Sequence, residues 1–246
     1  MLALITGASA GFGAAIARKF VQNQHQVILL ARRKDRLEAL KEELGGKCVK
    51  IIVCDVLEIE KIKKELSDWC DRVDVLVNNA GLALGIDSAD KCHIEDWNQM
   101  IDINIKALVG LSHYLIPFMA KRRKGHIINI GSIAGSYPYP GGNVYGASKA
   151  FVKQFSLNLR ADFYDKNIRV SNIEPGLVGG SEFSIVRFKG DEKKAKELYK
   201  NAHALCPEDI AEAVFWVANL PEHININRIE LMPTTQAPAA LNVYKY

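Results

Sequence analysis

Short runs of apolar residues alternate with longer amphipathic segments along the chain. Six runs have the length and composition of buried strands: LALIT, VILLA from Val27, CVKIIVC from Cys48, VDVLVN from Val73, HIINI from His126 and IRVSNI from Ile168. Charged helical patterns lie between the early runs, and one of them, RKDRLEALKEELGG, closes on a helix-stopping glycine pair. Parallel strands need crossover connections of this kind, so the pattern predicts an α/β fold with helices on both faces of a parallel sheet.

The alternation continues to the end of the chain with one interruption. No linker rich in proline, glycine or serine divides the sequence, which predicts a single domain over residues 1–246. After Pro175 comes GLVGGSEFSIVRFKGDEKKAKELYK, a glycine-rich stretch that runs into a charged helical pattern. We expect this insertion to form a lid over about residues 177–206, followed by a helix from Pro207 and a last strand near residues 227–231.

Composition and charge exclude several classes of protein. Of the 246 residues, 48% are hydrophobic and 24% charged, as in ordinary soluble globular proteins rather than disordered ones. The net charge is +4, and lysines and arginines are interspersed with acidic residues throughout. No dense basic patch is predicted, so we expect no nucleic-acid partner.

Cysteine usage and hydropathy predict the compartment. The five cysteines form no CxxC pair, and their odd number argues against a disulfide framework. We therefore expect no metal site and a reducing, cytoplasmic location. The N-terminal sequence lacks the pattern of a signal peptide, and no apolar run approaches the roughly 18 residues of a membrane span, so no membrane association is expected.

The first predicted strand is followed directly by the glycine loop TGASAGFG, which opens the helix AAIARKF. Its glycines, Gly7, Gly11 and Gly13, permit a tight turn and let backbone amides approach a pyrophosphate at the positive end of the helix dipole. A plain strand-to-helix turn is the alternative. The order of strand, loop and helix favours a dinucleotide site.

The end of the second strand predicts which dinucleotide is bound. NAD sites usually carry an acidic residue about 20 residues after the loop, but this chain has Arg32 and Arg33 there. Two guanidinium groups suit the 2′-phosphate of NADP. The alternative is a solvated helix start, and the absence of the acidic residue favours NADP.

Two further strand ends carry polar residues. Asp55 follows the third strand, where its carboxylate would accept the adenine amino group or cap a helix. The fourth strand ends in NNAG, residues 78–81, whose amides and glycine allow backbone to approach a cofactor. Taken alone, that tetrapeptide is equally typical of a turn.

The segment NVYGASKAF places a phenol and an amine on one stripe of a helix. Residues four apart, such as Tyr145 and Lys149, are separated by about 40° around a helix and one turn along it. A neighbouring cation favours the phenolate and lowers the pKa of a tyrosine. A packed ring beside a snorkelling amine is the alternative interpretation.

Taken together, these motifs resemble the short-chain dehydrogenase/reductase family. The resemblance rests on TGASAGFG, NNAG, Asn104, Ser132 in INIGS, YGASK and Pro175 in PG, and it covers nearly the whole chain. It implies a Rossmann-type doubly wound sheet of about seven strands in the order 3-2-1-4-5-6-7.

The resemblance also assigns catalytic roles to four residues. It implies that Tyr145 is the general base, that Lys149 and a bound nicotinamide lower the pKa of its phenol, and that Ser132 hydrogen-bonds the reacting oxygen. Asn104 would complete a proton path through water. Taken singly, Ser132 is also typical of a cap, and Asn104 of a group that satisfies a buried carbonyl.

The cofactor contacts expected from motif and resemblance extend along the chain. They are Gly7, Ser9, Gly11, Phe12, Gly13, Arg32, Arg33, Asp55, Val56, Asn79, Ala80, Gly81, Tyr145, Lys149, Pro175, Gly176, Val178 and Ser181. Ala10 departs from the family pattern, because some members that use NADP carry a basic residue there. The preference for NADP therefore depends on the two arginines.

Three longer stretches, NNAGLALG, GGNVYGASKAFVKQFSLNLR and IEPGLVGGSEFSIVRFKGD, resemble more narrowly the NADP-dependent 3-hydroxy acid dehydrogenases that act on serine and L-allo-threonine. That resemblance implies substrate contacts from Ser132 and Tyr145. Arg187 is the candidate partner of the substrate carboxylate, with an ordinary surface arginine as the alternative. The competing functions are a broad NADPH-dependent carbonyl or dicarbonyl reductase and a nucleotide-binding module without turnover.

Apolar residues beyond one core face predict self-association. The helical segments around residues 104–124 and 142–166 carry such residues, including Phe151, Phe155 and Leu159. Since related enzymes pair such helices across two-fold axes, we expect a homotetramer. The alternative is that these residues only cover the sheet.

Overall fold

The computed structural model describes residues 1–238, and the last eight residues of the predicted domain lie outside the described residues. Seven strands form one sheet: β1 (Leu2–Thr6), β2 (Gln26–Ala31), β3 (Cys48–Val53), β4 (Val75–Asn78), β5 (Gly125–Ile130), β6 (Ile168–Pro175) and β7 (Arg228–Leu231). All neighbouring strands pair in parallel, in the order β3-β2-β1-β4-β5-β6-β7. The predicted parallel sheet and its strand order are confirmed.

Helices connect the strands and cover both faces of the sheet. They are α1 (Gly11–Gln22), α2 (Lys34–Leu44), α3 (Ile59–Leu66), α4 (Ile94–Ile101), α5 (Leu108–Arg122), α6 (Asn143–Asp162), α7 (Phe183–Arg187), α8 (Glu192–Tyr199) and α9 (Pro207–Asn219). A π-helical turn, Asp102–Ala107, joins α4 to α5. The predicted lid segment, residues 177–206, contains α7 and α8, and we call it the 177–206 segment.

Burial explains why the strand sequences are almost wholly apolar. Every residue of β1 and β5 is buried, as expected of a parallel sheet covered on both faces. One core packs the sheet against α1, α2 and α9, and Phe20 of α1 is its largest fully buried side chain. The other packs the opposite face against α3, α5 and α6. The strand order then brings the carboxyl ends of all seven strands to one edge.

The α4–α5 helix is long and apolar for a soluble fold. The continuous helical segment Ile94–Arg122 has 29 residues, and its most apolar 18-residue window reaches a mean hydropathy of 1.3. By length and composition it meets the criterion for a membrane span, which the sequence prediction did not anticipate. Half of that window is buried inside the fold, and core helices of soluble proteins meet the same criterion, so this is weak evidence for a membrane role.

An ion pair between a buried carboxylate and a partly exposed arginine joins the last two strands. Glu174 of β6 is fully buried, and its two carboxylate oxygens accept hydrogen bonds from Arg228 Nε at 2.8 Å and Nη2 at 2.6 Å. Asn172 donates a third hydrogen bond to Glu174 at 2.7 Å. The pairing fixes the end of β6, where Pro175 begins the connection to the 177–206 segment.

Candidate active site

The glycine loop leaves its backbone open toward the strand ends. Gly7 and Gly11 have φ values of 65° and 52°, in the left-handed region that favours glycine. A Cβ atom at Gly13 would lie 2.5 Å from the carbonyl oxygen of Gly7, so only glycine lets α1 begin directly beneath the loop. The loop therefore has the backbone shape that a pyrophosphate requires.

A cleft of about 340 Å³ lies along this loop and the neighbouring strand ends. It brings together most of the predicted cofactor residues: Gly7, Ser9, Gly11, Phe12, Arg32, Arg33, Asp55, Val56, Asn79, Ala80, Gly81, Tyr145, Lys149 and Ser181. Gly13 packs beneath the loop instead of lining the cleft. Most of the lining residues follow β1, β2, β3 and β4 or lie on α6, at the strand ends where folds of this kind bind a dinucleotide.

The two arginines that follow β2 differ in position. The guanidinium of Arg33 donates to Ser9 Oγ from Nε at 3.2 Å and from Nη2 at 3.1 Å. Its Nη1 donates to Glu182 at 2.7 Å. The side chain of Arg32 is 67% exposed and lies 3.6 Å from the Asp55 carboxylate. The Arg33 guanidinium, 41% exposed, is therefore fixed by hydrogen bonds at the edge of the cleft, whereas Arg32 is more exposed and makes only the longer contact with Asp55 among the described residues.

Asp55 is not a helix cap. Its Oδ1 accepts from the backbone N–H of Leu57 at 3.0 Å, and α3 begins later, at Ile59. The residue forms a local turn and lines the cleft at the same time. Its side chain lines the cleft, and its role as an adenine contact stays a prediction.

The NNAG motif ties β4 to β1. Asn79 Nδ2 donates to the carbonyl oxygen of Thr6 at 2.8 Å. The hydroxyl of Thr6 accepts from the backbone N–H groups of Asn79 at 3.0 Å and Ala80 at 2.9 Å. These bonds fix the strand ends where the sheet order reverses direction, which is where α/β folds bind ligands.

A second cavity of about 320 Å³ adjoins the cleft and is lined by most of the remaining predicted residues. It is lined by Ser132, Pro175, Gly176, Val178 and Arg187, and it shares Tyr145 and Ser181 with the first cleft. Tyr145 therefore lies between the cleft along the glycine loop and a second compartment of similar volume.

Tyr145 and Lys149 lie side by side on α6 and are both buried. Lys149 Nζ lies 5.9 Å from the centroid of the Tyr145 ring and donates to the carbonyl oxygen of Ile130 at 2.7 Å. Burial lowers the pKa of Lys149 to about 8.

The pKa of the Tyr145 phenol is shifted upward, opposite to the lowering that the sequence predicted for the site with Lys149 and a bound nicotinamide. Burial raises the pKa of Tyr145 to about 12, although a contact with Ser132 and the charge of Arg187 both act to lower it. Lys149 directs its ammonium to Ile130 and not to the phenol oxygen. The chain alone therefore does not lower this pKa, and any such lowering requires charge that a bound ligand brings.

Ser132 and Arg187 approach Tyr145 from other elements. Ser132 follows β5, its hydroxyl accepts from the N–H of Ala134 at 3.1 Å, and its side chain is buried. The guanidinium carbon of Arg187 lies 5.6 Å from the Tyr145 ring centroid. Arg187 Nη2 also donates to Tyr139 Oη at 2.7 Å, and Nε donates to the carbonyl oxygen of Gly85 at 3.3 Å.

Asn104 lines neither cavity. It lies in the π-helical turn, accepts from the N–H of Leu82 at 2.9 Å and donates to the carbonyl of Leu82 at 2.9 Å. It also donates to Ser148 Oγ at 3.0 Å. The side chain thus satisfies a buried backbone, the alternative interpretation that the sequence left open.

Sequence reasoning missed several residues that line these spaces. Phe183 covers Tyr145 with a ring-centroid distance of 5.9 Å, and Tyr139 holds Arg187. Glu182 joins Arg33 at the mouth of the cleft. Phe183 and Glu182 belong to the segment already predicted as a lid, so their position beside Ser181 was the available signal. Tyr139 carried no motif.

Metal-ligating side chains do not cluster in the part of the chain that the structure describes. Within residues 1–238, no group of three or more histidine, cysteine, aspartate or glutamate side chains is placed to hold a metal ion.

The sequence matches the short chain dehydrogenase family over residues 1–190. It is 57% identical over 248 residues to the NADP-dependent 3-hydroxy acid dehydrogenase YdfG of Salmonella typhi, with all of both chains covered. It is also 46% identical over 244 residues to the serine 3-dehydrogenase of Agrobacterium fabrum, covering 98% of this chain and 97% of that protein.

Solved structures of serine dehydrogenases superpose on this chain over nearly its whole length. The closed form of a serine dehydrogenase complexed with NADP⁺ superposes with a TM-score of 0.97 at 55% identity, and all of both chains is covered. A serine dehydrogenase from Escherichia coli superposes with a TM-score of 0.85 at 50% identity, covering 96% of this chain and 100% of the other.

We expect the burial of Lys149 to produce a pH dependence of stability. Its pKa is about 8 in the folded protein against an ordinary 10.5, so between these values the unfolded chain binds more protons and the free energy of unfolding rises with pH. Replacing Lys149 with methionine should remove this gain, about 2 to 3 kcal/mol between pH 7 and pH 10.

Denaturant unfolding of the wild type and of Lys149→Met across that range measures the effect. Lys121→Met is the control, because the exposed side chain of Lys121 stays in water and its curve should run parallel to that of the wild type. If the free energy of unfolding of Lys149→Met also ran parallel to that of the wild type across this pH range, the lowered pKa of Lys149 would be contradicted.

Proposed function

This chain belongs to the short-chain dehydrogenase family, and from that premise we propose that it catalyses reversible NADP-dependent hydride transfer on small 3-hydroxy acids. The substrate class is that of L-allo-threonine, L-serine and 3-hydroxyisobutyrate. The observation that carries the proposal is the position of Tyr145, between the dinucleotide-shaped cleft and a second compartment that contains Arg187. Relatives named for 3-hydroxy acids and for serine support the same substrate class.

The residues present fit NADP. The open backbone of the glycine loop suits the pyrophosphate, and the Ser9–Arg33 pair lies where the 2′-phosphate would bind. Lys149 lies beside Tyr145, where its amine would reach the nicotinamide ribose. When bound, NADP supplies the hydride acceptor.

The chain's own residues handle the proton and orient the substrate. Tyr145 takes the proton of the substrate hydroxyl as the C–H bond breaks, and in the reverse direction it returns that proton. Ser132 donates a hydrogen bond to the same oxygen and stabilises its developing negative charge. Because burial is the largest cause that raises the pKa of Tyr145 to about 12, positive charge close to the phenol would favour this step.

Asn104 acts indirectly in this proposal. Both donor groups of its side chain and one acceptor site of its oxygen are taken by Leu82 and Ser148. It therefore positions the backbone that follows NNAG and the helix that carries Tyr145, and the proton path expected from the resemblance would use groups other than this amide.

Arg187 is proposed as the anchor of the substrate carboxylate. Within residues 1–238 no carboxylate lies within salt-bridge distance of Arg187, so its charge is available to an anion in the second compartment. Tyr139 and Gly85 hold two of its donor groups and fix the plane of the guanidinium. A carboxylate bound there would place a neighbouring carbinol carbon close to Tyr145.

The 177–206 segment is proposed as the lid of a single catalytic domain. The N–H of Gly85 donates to the carbonyl oxygen of Arg187 at 2.9 Å, and Lys189 Nζ lies 2.8 Å from the Asp96 carboxylate. Phe183 covers the face of the site. These contacts would exclude water from Tyr145 while the segment is in this position.

A homotetramer in the cytoplasm is proposed as the working form. The exposed ring of Phe151 stacks on Phe155 at 5.6 Å on α6, and Trp216 on α9 is 53% exposed, so apolar surface remains on two helices. All five cysteines are free thiols, which suits a reducing compartment.

The proposed tetramer is tested by light scattering. The purified protein should give about four times the 27.3 kDa chain mass, and a monomer mass would rule out the assembly.

The proposed reaction is tested with a panel of substrates. We expect L-allo-threonine, L-serine and 3-hydroxyisobutyrate to reduce NADP⁺ faster than NAD⁺, followed at the NADPH absorbance band. Tyr145→Phe should lower kcat by about 10² to 10⁴, because it removes the proton acceptor and keeps the ring.

The alternative function, a broad carbonyl reductase, is tested by the reduction of an apolar ketone with NADPH. Faster ketone turnover than any hydroxy acid would replace the proposal, and no turnover would leave a binding module.

Arg187→Leu tests the carboxylate anchor. We expect KM for L-serine to rise by at least about tenfold, since a charge-assisted hydrogen bond to the substrate is lost, while the activity on neutral alcohols or ketones stays near the wild-type value. Arg187→Lys is the matched control, because it keeps the charge and loses the fork geometry, and should have an intermediate KM. An unchanged KM in Arg187→Leu would remove Arg187 from this role.

A further inference from the structure

A single carboxylate bridges two arginines at the mouth of the nucleotide cleft. Glu182 Oε2 accepts from Arg33 Nη1 at 2.7 Å, and Glu182 Oε1 accepts from Arg36 Nη1 at 3.0 Å. Glu182 itself lines the cleft, next to Ser181 and the glycine loop. Arg33 comes from the turn after β2, whereas Glu182 comes from the 177–206 segment, so the contact joins two distant parts of the chain.

The charge of Arg33 is already compensated in this arrangement. Its Nε and Nη2 donate to the neutral hydroxyl of Ser9, and its Nη1 donates to the Glu182 carboxylate. Arg36 does not line the cleft, and its contact with Glu182 holds the other carboxylate oxygen in place. Hydrogen bonds from Arg33 and Arg36 lower the pKa of Glu182, so its carboxylate is charged at neutral pH.

An incoming 2′-phosphate would meet this carboxylate at the same guanidinium. A phosphate monoester carries about −1.5 to −2 charges at pH 7 and pairs with arginine through the N–H groups that face it. Two anions on one cation repel each other, and the guanidinium edge that includes Nη1 cannot serve both without rearrangement. A nucleotide without the 2′-phosphate would leave the Arg33–Glu182 pair intact.

We propose that Glu182 competes with the 2′-phosphate of the nucleotide for Arg33 and thereby weakens the binding of 2′-phosphorylated adenosine nucleotides. This inference rests on the proposed function, because it assumes that NADP binds in this cleft with its 2′-phosphate at Arg33. It assigns a role to an acidic residue that neither the glycine loop nor the arginine pair predicts. Glu182 limits the preference for NADP that Arg33 creates.

Glu182→Gln isolates the charge. Glutamine has the same shape and keeps a carbonyl oxygen to accept from Arg33 or Arg36, so the 177–206 segment can stay docked. Calorimetric titration would compare adenosine 2′,5′-bisphosphate with adenosine 5′-monophosphate, which differ only in the 2′-phosphate and carry no nicotinamide. We expect the variant to bind the bisphosphate about three- to fivefold more tightly and the monophosphate with unchanged affinity.

Glu192→Gln is the matched control. It makes the same charge change in the same segment, where, among residues 1–238, Glu192 pairs with the exposed Lys196 alone, and neither ligand should bind differently. Unchanged or weaker binding of the bisphosphate by Glu182→Gln would overturn the inference. If the wild type itself shows no preference for the bisphosphate, the assignment of NADP to Arg33 fails, and the inference fails with it.

A double-variant cycle with Arg33→Gln distinguishes competition from distant repulsion. Competition for Arg33 predicts that Glu182→Gln tightens bisphosphate binding less when Arg33 is absent. An equal gain in both backgrounds would mean that the carboxylate acts only through its long-range field, and would also overturn the inference.

Discussion

The burial of one ammonium group against the end of β5 is the constraint on which this site depends. Lys149 is buried with a single hydrogen bond in the structure, to the carbonyl oxygen of Ile130, and burial lowers its pKa to about 8. That bond joins α6 to the end of β5, and Tyr145 lies one helical turn earlier, at the junction of the two cavities. A lysine in this position is costly for the fold and orders the helix that carries the chemistry.

The sheet supplies the second part of the arrangement. In the sheet, β1 lies between β2 and β4. The connections that follow β1 and β4 therefore leave toward opposite sides, and a crevice opens between them at the strand ends. Thr6 and Asn79 close the floor of this crevice with side-chain to backbone hydrogen bonds. The glycine loop can then stay open, since its flanking strands are held by groups other than the loop itself.

The sequence could predict what local pattern determines. Apolar runs predicted the strands, and the resemblance to a family predicted their order and the roles of Ser132 and Tyr145. Arg187 was proposed separately, from the need of a substrate carboxylate for a cation, and the structure brings all three residues to one cavity. The sequence could not predict what depends on tertiary hydrogen bonds. Nothing in YGASK indicates that Lys149 donates a hydrogen bond to the carbonyl oxygen of Ile130. Nothing in IDINIKAL indicates that the Asn104 amide donates to the carbonyl oxygen of Leu82. The raised pKa of Tyr145 follows from burial, which residue spacing alone does not give.

The cations of the site fall into two kinds, and the difference determines how selective each end can be. Arg33 already has an acidic partner in Glu182, so a phosphate gains only the difference between two anionic partners there. Within residues 1–238 Arg187 has neutral partners, the Tyr139 hydroxyl and a backbone carbonyl, so an incoming carboxylate gains the full interaction with its charge. In the proposed function, the compensated end would moderate cofactor binding, and the uncompensated end, next to Tyr145, would favour substrates that carry a negative charge.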